Sequence, residues 1–384
     1  MRNVCCRAMA IVVAASALFG LSKGYPHAFA AGSPWSDPVV VSVRVSPDAT
    51  YETRLAVGHL HIGQSSQQRE EDSSKFAPIL TDIYVRVSHG GLPKLYRLES
   101  SGRLWNEEER LNVSLPEKLS AKLLKEADKA RAAHYGEAIA WKEAKRILPR
   151  KSVFKVMDMK TGLVFRVQRR AGSDHADVQP ISREDTKIMN EIYGGQWSWN
   201  RKAVVVLAAG RRIAASMNGM PHGGDGIPDN GFSGHFCIHF SESTTHKSSV
   251  PDPAHEFMVH RAAGDARAYL DSASPSLLAR SLVEALNQRD REWIRLLAEG
   301  SERDEAASLI GETDSVTSAR TVAQRQPLPE EDRLVATLES EVAIERRGKG
   351  KRHLPFRFEF ARLSPYSPWR LQSVERGPSE GKVK

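Results

Sequence analysis

The residues of this chain best equipped for chemistry lie between positions 220 and 246. They read Met220-Pro221-His222-Gly223-Gly224, then, after eight residues, Ser233-Gly234-His235-Phe236-Cys237-Ile238-His239-Phe240, and a little later Thr244-Thr245-His246. If residues 235–240 form a strand, side chains alternate between its faces, so His235, Cys237 and His239 project to one side and Phe236, Ile238 and Phe240 to the other. One face is then a packed core and the other a row of imidazole, thiol and imidazole. A cysteine becomes a nucleophile when a neighbouring base takes its proton or stabilises its thiolate, and His235, two residues away on the same face, is placed to do so. An imidazole with an ordinary pKa near 6.5 accepts that proton at neutral pH. A reacting carbonyl also needs donors for its developing negative charge, which Gly223-Gly224 or Ser233-Gly234 can present as closely approaching backbone N–H groups. Together these groups suffice for acyl transfer.

The compartment bears on the thiol. Arg2 and Arg7 precede an apolar run from Ala8 to Leu21 and a polar stretch ending in Ala28-Phe29-Ala30, the order of charge, apolar core and small-residue cleavage site of a secretory signal. The run is short for a membrane span, which needs about 20 residues, so no stable membrane insertion is expected after cleavage; a retained N-terminal anchor is the alternative. Cys5 and Cys6 leave with the signal, so of three cysteines only Cys237 stays and no intramolecular disulfide can form. An unpaired thiol in an oxidising compartment is a liability unless it is buried, binds a metal or does chemistry. Loss of Arg2, Arg7 and Lys23 takes the formal charge from +8 to about +5, a balance that favours an anionic surface such as a cell wall and is too diffuse to argue for nucleic acid. Nothing in the sequence speaks to oligomeric state.

At 384 residues the chain exceeds what one hydrophobic core usually organises. A multidomain α+β architecture is expected: a signal peptide over 1–30, an accessory sheet-plus-helix region over 31–150, a β-rich central domain over 151–268 and an α+β domain over 269–384. Alternation over Val39–Val45 and Ile83–Val87 predicts strands, with a polar loop from Gln64 to Ser74 between them. Helical patterns follow over 116–131 and 138–148, the second ended by Leu148-Pro149. A hairpin is predicted over Val153–Asp158 and Leu163–Val167, turning at Lys160-Thr161-Gly162. Ser182 is placed to cap a helix reaching Ile192. Strands are expected over 203–208 and 212–217, then the glycine-rich loop 219–234. Residues 254–270 and 275–297 read as helices, with Asp252, Pro253 and His255 at a helix start; 301–333 reads as polar and partly loop, and the end as strands with Phe356, Phe358 and Phe360 in alternation. His175-Ala176-Asp177 with Gln179 reads more simply as a polar loop capping the next helix than as lining of a cleft. Trp197 and Trp199 read as half-buried core at a strand entrance, with stacking on sugar as the alternative.

A His-Gly pair, a loop, then a hydroxyl residue, His, a spacer and Cys resembles the signature of the L,D-transpeptidase (YkuD) family, exported cysteine enzymes that cross-link peptidoglycan stem peptides. The hairpin from Val156 to Val167, with its Asp-x-x-Thr-Gly turn, is similar to the strands that open that catalytic domain, and the likeness covers roughly residues 150 to 265. The chain carries Phe236 where the family has Gly and His239 where an Arg is usual. The resemblance implies Cys237 as nucleophile, His235 as base and then acid, His222 with Gly223 as the upstream pair lining the site, and stem peptides of the cell wall as partners, with no cofactor. Gly224, Ser233, Gly234, His239 and His246 are expected beside the substrate. A pair of helices followed by an antiparallel sheet ending in Trp369-Arg370-Leu371 resembles the nuclear-transport-factor-2-like (SnoaL-like) fold over about 110 residues. Three other readings of the histidine-ringed thiol stay open: a zinc site, although the usual ligand spacings are absent; an inert core thiol in a wall-binding scaffold; and a cysteine hydrolase that passes its acyl group to water.

Overall fold

The computed structural model describes residues 39–58, 67–69, 81–89, 92–224, 226–245, 251–324 and 333–377. The predicted signal, Cys5, Cys6, His246 and the last seven residues lie outside them. The described chain is mixed α+β, and none of its helices is long and apolar enough to cross a membrane. It divides into two compact units, one drawn from 1–44, 50–68 and 83–134, the other from 45–49, 69–82 and 135–384.

The first unit contains strands β1 (Val39–Val43), β2 (Thr53–Gly58), β3 (Gln67–Arg69), β4 (Ile83–His89), β5 (Leu92–Leu98), β6 (Leu104–Asn106) and β7 (Leu111–Val113), followed by helix α1 (Glu117–His134). The strands form one sheet in the order β2-β1-β4-β5-β6-β7-β3. Alternate valines of β1 and β4 join Leu98, Leu104 and Val113 in a core that Leu123 and Ala127 of α1 close. The predicted loop from Gln64 to Ser74 thus holds a short strand.

In the second unit, α2 (Trp141–Ile147) precedes β8 (Val153–Asp158), β9 (Val164–Ala171), β10 (Ala176–Pro180), α3 (Arg183–Ile192), β11 (Lys202–Ala208), β12 (Arg211–Met217) and β13 (Phe236–His239). The six strands close into a barrel in the order β10-β13-β12-β11-β8-β9. Phe154, Val156, Phe165, Val167, Val204, Val206, Ile213, Phe236 and Ile238 belong to its core together with Trp141 and Ala144 of α2 and Met189 and Ile192 of α3. Residues 139–148 therefore belong with the barrel and not with the accessory region, because Ile139, Trp141, Ala144 and Leu148 bury themselves there. Asp158 shapes the β8–β9 turn by accepting from the Thr161 N–H and hydroxyl, both at 2.8 Å, with Gly162 at φ +76°. Ser182 caps α3, its Oγ accepting from the Asp185 N–H at 3.1 Å. His175 to Gln179 is no capping loop: most of it is strand β10, wedged between β9 and β13.

Helix α4 (Pro253–Ala263), capped by Asp252, packs on β11, β12 and β13 and then on α6 (Pro275–Gln288). Between them Gly264 in the left-handed region ends α4 before α5 (Ala266–Asp271), and Arg289, also left-handed, separates α6 from α7 (Arg291–Leu297). The polar stretch read as partly loop contains α8 (Arg303–Glu312) and β14 (Val316–Gln324). With β15 (Val335–Arg346), β16 (Lys351–Ala361) and β17 (Arg370–Arg376), β14 forms a four-stranded antiparallel sheet in sequential order. Phe356, Phe358 and Phe360 all point into its buried face, as their spacing of two demands.

Candidate active site

The site forms on the outer wall of the barrel, because Phe236 and Ile238 take the inward positions of β13 and leave Cys237 and His239 on the other face. Antiparallel register places Asp177 of β10 directly opposite Cys237, and Ser216 of β12 opposite His239. His175 lies two residues from Asp177 and so shares its face. Helix α4 covers the wall and adds His255, whose Nδ1 lies 2.9 Å from Ser216 Oγ.

A two-residue bridge brings in the upstream histidine. His222 N–H donates to His235 O at 3.0 Å and His235 N–H to His222 O at 2.8 Å, setting the two imidazoles 4.4 Å apart between centroids. Gly223 and Gly234 permit this approach. Both have positive φ, and a Cβ would fall 2.3 Å from the His235 ring at Gly223 and 2.4 Å from the His222 carbonyl at Gly234. These two glycines thus act first through shape. Gly224 is exposed with open space around it, and Ser233 is exposed. Gln179 holds the intervening loop, donating to Gly234 O and accepting from Ile227 N–H at 2.6 Å. Trp199, half exposed, leans on the His222 ring at 5.0 Å, whereas Trp197 packs edge-on against Phe232 in the core.

Two imidazoles flank the thiol: His222, with Nε2 3.3 Å from Cys237 Sγ, and His175, which also hydrogen-bonds the sulfur. The His222 Nδ1 lies 2.8 Å from Met220 O, which can only accept, so Nδ1 carries the hydrogen and the neutral ring offers Nε2 as a base. His235 instead sets Nε2 3.8 Å from Asp177 Oδ1. Side chains two apart on one strand face start roughly 7 Å from each other, whereas a bridge partner arrives alongside. His222 therefore occupies the position beside the thiol at which the sequence placed His235.

Behind the thiol is a buried charged pair. His175 Nδ1 lies 2.8 Å from Thr244 O and its Nε2 3.2 Å from Asp177 Oδ1. A carboxylate beside the ring favours its protonated form. Burial, the largest influence, pushes His175 down, but Asp177 and Cys237 outweigh it and hold the ring at about 10. Burial likewise pushes the Cys237 thiol up, and His175 and His222 overcome it to leave the thiol below its ordinary value. His222 is raised by its hydrogen bond to Cys237, against burial. Each of these directions favours a thiolate flanked by imidazolium.

His239, expected beside the substrate, is instead covered by other side chains. It is 2 % exposed and sandwiched between His175 at 4.4 Å and His255 at 3.7 Å, ring planes nearly parallel. Burial first, then the charges of His255 and His175, push it well down, so it is a neutral packing group. His255, also buried, is pushed down by burial and then by Arg201 and His175. The sequence reading gave the lesser weight to His175 and Asp177 and missed Ser216 and His255. Alternation of His175, Asp177 and Gln179 with Ala176 and Val178 carried the signal for the first pair; nothing in the order of residues announces the α4 contact. Cys237 is the one free cysteine among the described residues, and it is 4 % exposed. No family model, curated protein or solved structure matches the chain.

Proposed function

We propose that this protein is an exported cysteine acyltransferase that acts on peptidoglycan stem peptides through a Cys237 thioester, as its resemblance to the L,D-transpeptidases implies. The observation that carries the chemical part is the 3.3 Å approach of His222 Nε2 to Cys237 Sγ with the His222 tautomer set by Met220. The helices and four-stranded antiparallel sheet after residue 273 support reading that region as nuclear-transport-factor-2-like.

In this reading Cys237 thiolate adds to a donor carbonyl, and the oxyanion is met by main-chain N–H groups of Gly223 and Gly224. Collapse of the adduct expels the amine of the terminal D-residue, which takes its proton from the His222 imidazolium. An acceptor amine then attacks the thioester, gives its proton to His222 and releases the thiolate as the new amide forms. His175 and Asp177 stay outside the proton path and hold the charge around sulfur.

Incubation with a tetrapeptide stem and intact-mass analysis should show one acyl adduct of donor minus its terminal residue, lost in Cys237→Ala. A thiol left unmodified by every stem fragment offered would rule the proposal out. Muropeptides from cells with and without Cys237→Ala separate the outcomes of the second step: direct links between diaminopimelate residues for transfer, trimmed stems alone for hydrolysis.

A further inference from the structure

The donor atoms around Cys237 also outline a metal site. His222, His235 and Cys237 each offer one ligand atom, and these atoms all lie within 4.8 Å of one another. Asp177 Oδ1 adds a fourth, 3.8 Å from Cys237 Sγ and 3.8 Å from His235 Nε2, while Sγ and His222 Nε2 are 3.3 Å apart. Tetrahedral zinc, with Zn–S near 2.3 Å and Zn–N or Zn–O near 2.0–2.2 Å, requires ligand separations of about 3.3–3.8 Å. Those three edges meet that requirement, and the two imidazoles and the thiolate lie together within 4.8 Å. The outer sphere is present too. Met220 O holds His222 Nδ1 so that Nε2 faces inward, and His175 Nε2 orients the Asp177 carboxylate from 3.2 Å. One thiolate, two imidazoles and one carboxylate form a set suited to a borderline-soft ion with no geometric demand beyond four ligands.

We propose that Cys237, His222, His235 and Asp177 bind one Zn2+ ion, and that the metal closes the site to acyl chemistry by occupying the thiolate and the base together. Binding displaces the proton shared by Cys237 and His222 to solvent, so affinity rises with pH. This regulatory part rests on the nucleophile reading; the binding itself does not.

Co2+ reports the site directly, because a thiolate ligand adds a near-ultraviolet charge-transfer band and tetrahedral geometry strengthens the visible bands. Titration of the metal-free full-length chain should give one Co2+ per molecule with both signatures, displaced by one Zn2+. Cys237→Ser should lose the charge-transfer band, and His222→Gln, on the partly exposed loop, should weaken Zn2+ binding by about 10–100-fold, as should His235→Gln. Absence of stoichiometric binding, or binding that Cys237→Ser and His222→Gln leave unchanged, overturns the proposal. Alkylation with iodoacetamide separates the two readings. A fast reaction of the metal-free protein that Zn2+ fails to slow defeats the metal site and leaves the nucleophile standing; stoichiometric Zn2+ on a thiol that resists alkylation without metal supports the metal site and defeats the nucleophile.

Discussion

His222 and His175 act on the same sulfur in different ways. His222 has one nitrogen tied to a carbonyl and the other free to exchange a proton with Cys237, whereas both nitrogens of His175 face acceptors. In the proposed reaction the first imidazole exchanges the proton and the second supplies positive charge beside the sulfur. The alkylation rate of Cys237 plotted against pH should therefore rise at a midpoint below that of a free thiol, about 8.5. His222→Gln and His175→Gln should each move that midpoint up; a wild-type midpoint at the free-thiol value would show that the ion pair does not form. A pH dependence of stability follows for His175. Its folded value of about 10 stands above the ordinary 6.5. The stabilisation is complete below the unfolded value and is lost as pH rises through the folded one. The urea-unfolding difference between wild type and His175→Gln should thus shrink between about pH 6 and about pH 10.

At the scale of elements, a two-residue bridge, one strand register and a covering helix assemble the site. Gly234 has φ +84°, and an added Cβ would meet the His222 carbonyl at 2.4 Å, a contact that cannot relax while the bridge persists. Gly234→Ala should slow Cys237 alkylation strongly and destabilise the fold by about 1–3 kcal/mol. Ser182→Ala is the contrasting test, because it removes the cap of α3 away from the thiol: it should cost about 1 kcal/mol in urea unfolding and leave the alkylation rate unchanged. If both variants changed reactivity alike, the bridge would have no specific part in activating the thiol.

At the scale of the molecule, α4 lies between the barrel and helix α6, which in turn packs on the C-terminal sheet. The barrel side of α4 carries His255 behind the histidine stack, while Arg261 pairs with Asp290, the N-cap of α7, at 3.2 Å through Nη2 and Oδ1 and also through Nη1 and Oδ2. Both side chains are largely buried. Asp290→Asn keeps a good cap and leaves the Arg261 charge without its counter-ion, so it should cost about 3 kcal/mol in urea unfolding. A loss below about 1 kcal/mol would mean that the pair is solvated and does not tie the two regions.

Much of this protein is legible in its order of residues because the signals are local. The alternation around Cys237, the Asp-Thr-Gly turn after β8, the Ser182 and Asp252 caps and the phenylalanines of β16 each act within a few residues, and each appears where periodicity or capping chemistry puts it. The polar stretch His175–Gln179 misled because β9 and β13 flank it and bury all five side chains, which composition does not register. The thiol's place on its strand face was evident from the sequence; the imidazole that reaches it from the glycine-rich loop was not. Two residues along a strand leave His235 too far from Cys237 for an immediate hydrogen bond, whereas a bridge across the glycine-rich loop delivers His222, and strand register delivers Asp177 and His175. His239 shows the converse, because its strand face was predictable and the helix laid over that face was not. Local sequence determined which face the thiol takes, and only tertiary packing decided which imidazole reaches it, since a hydrogen bond depends on through-space distance.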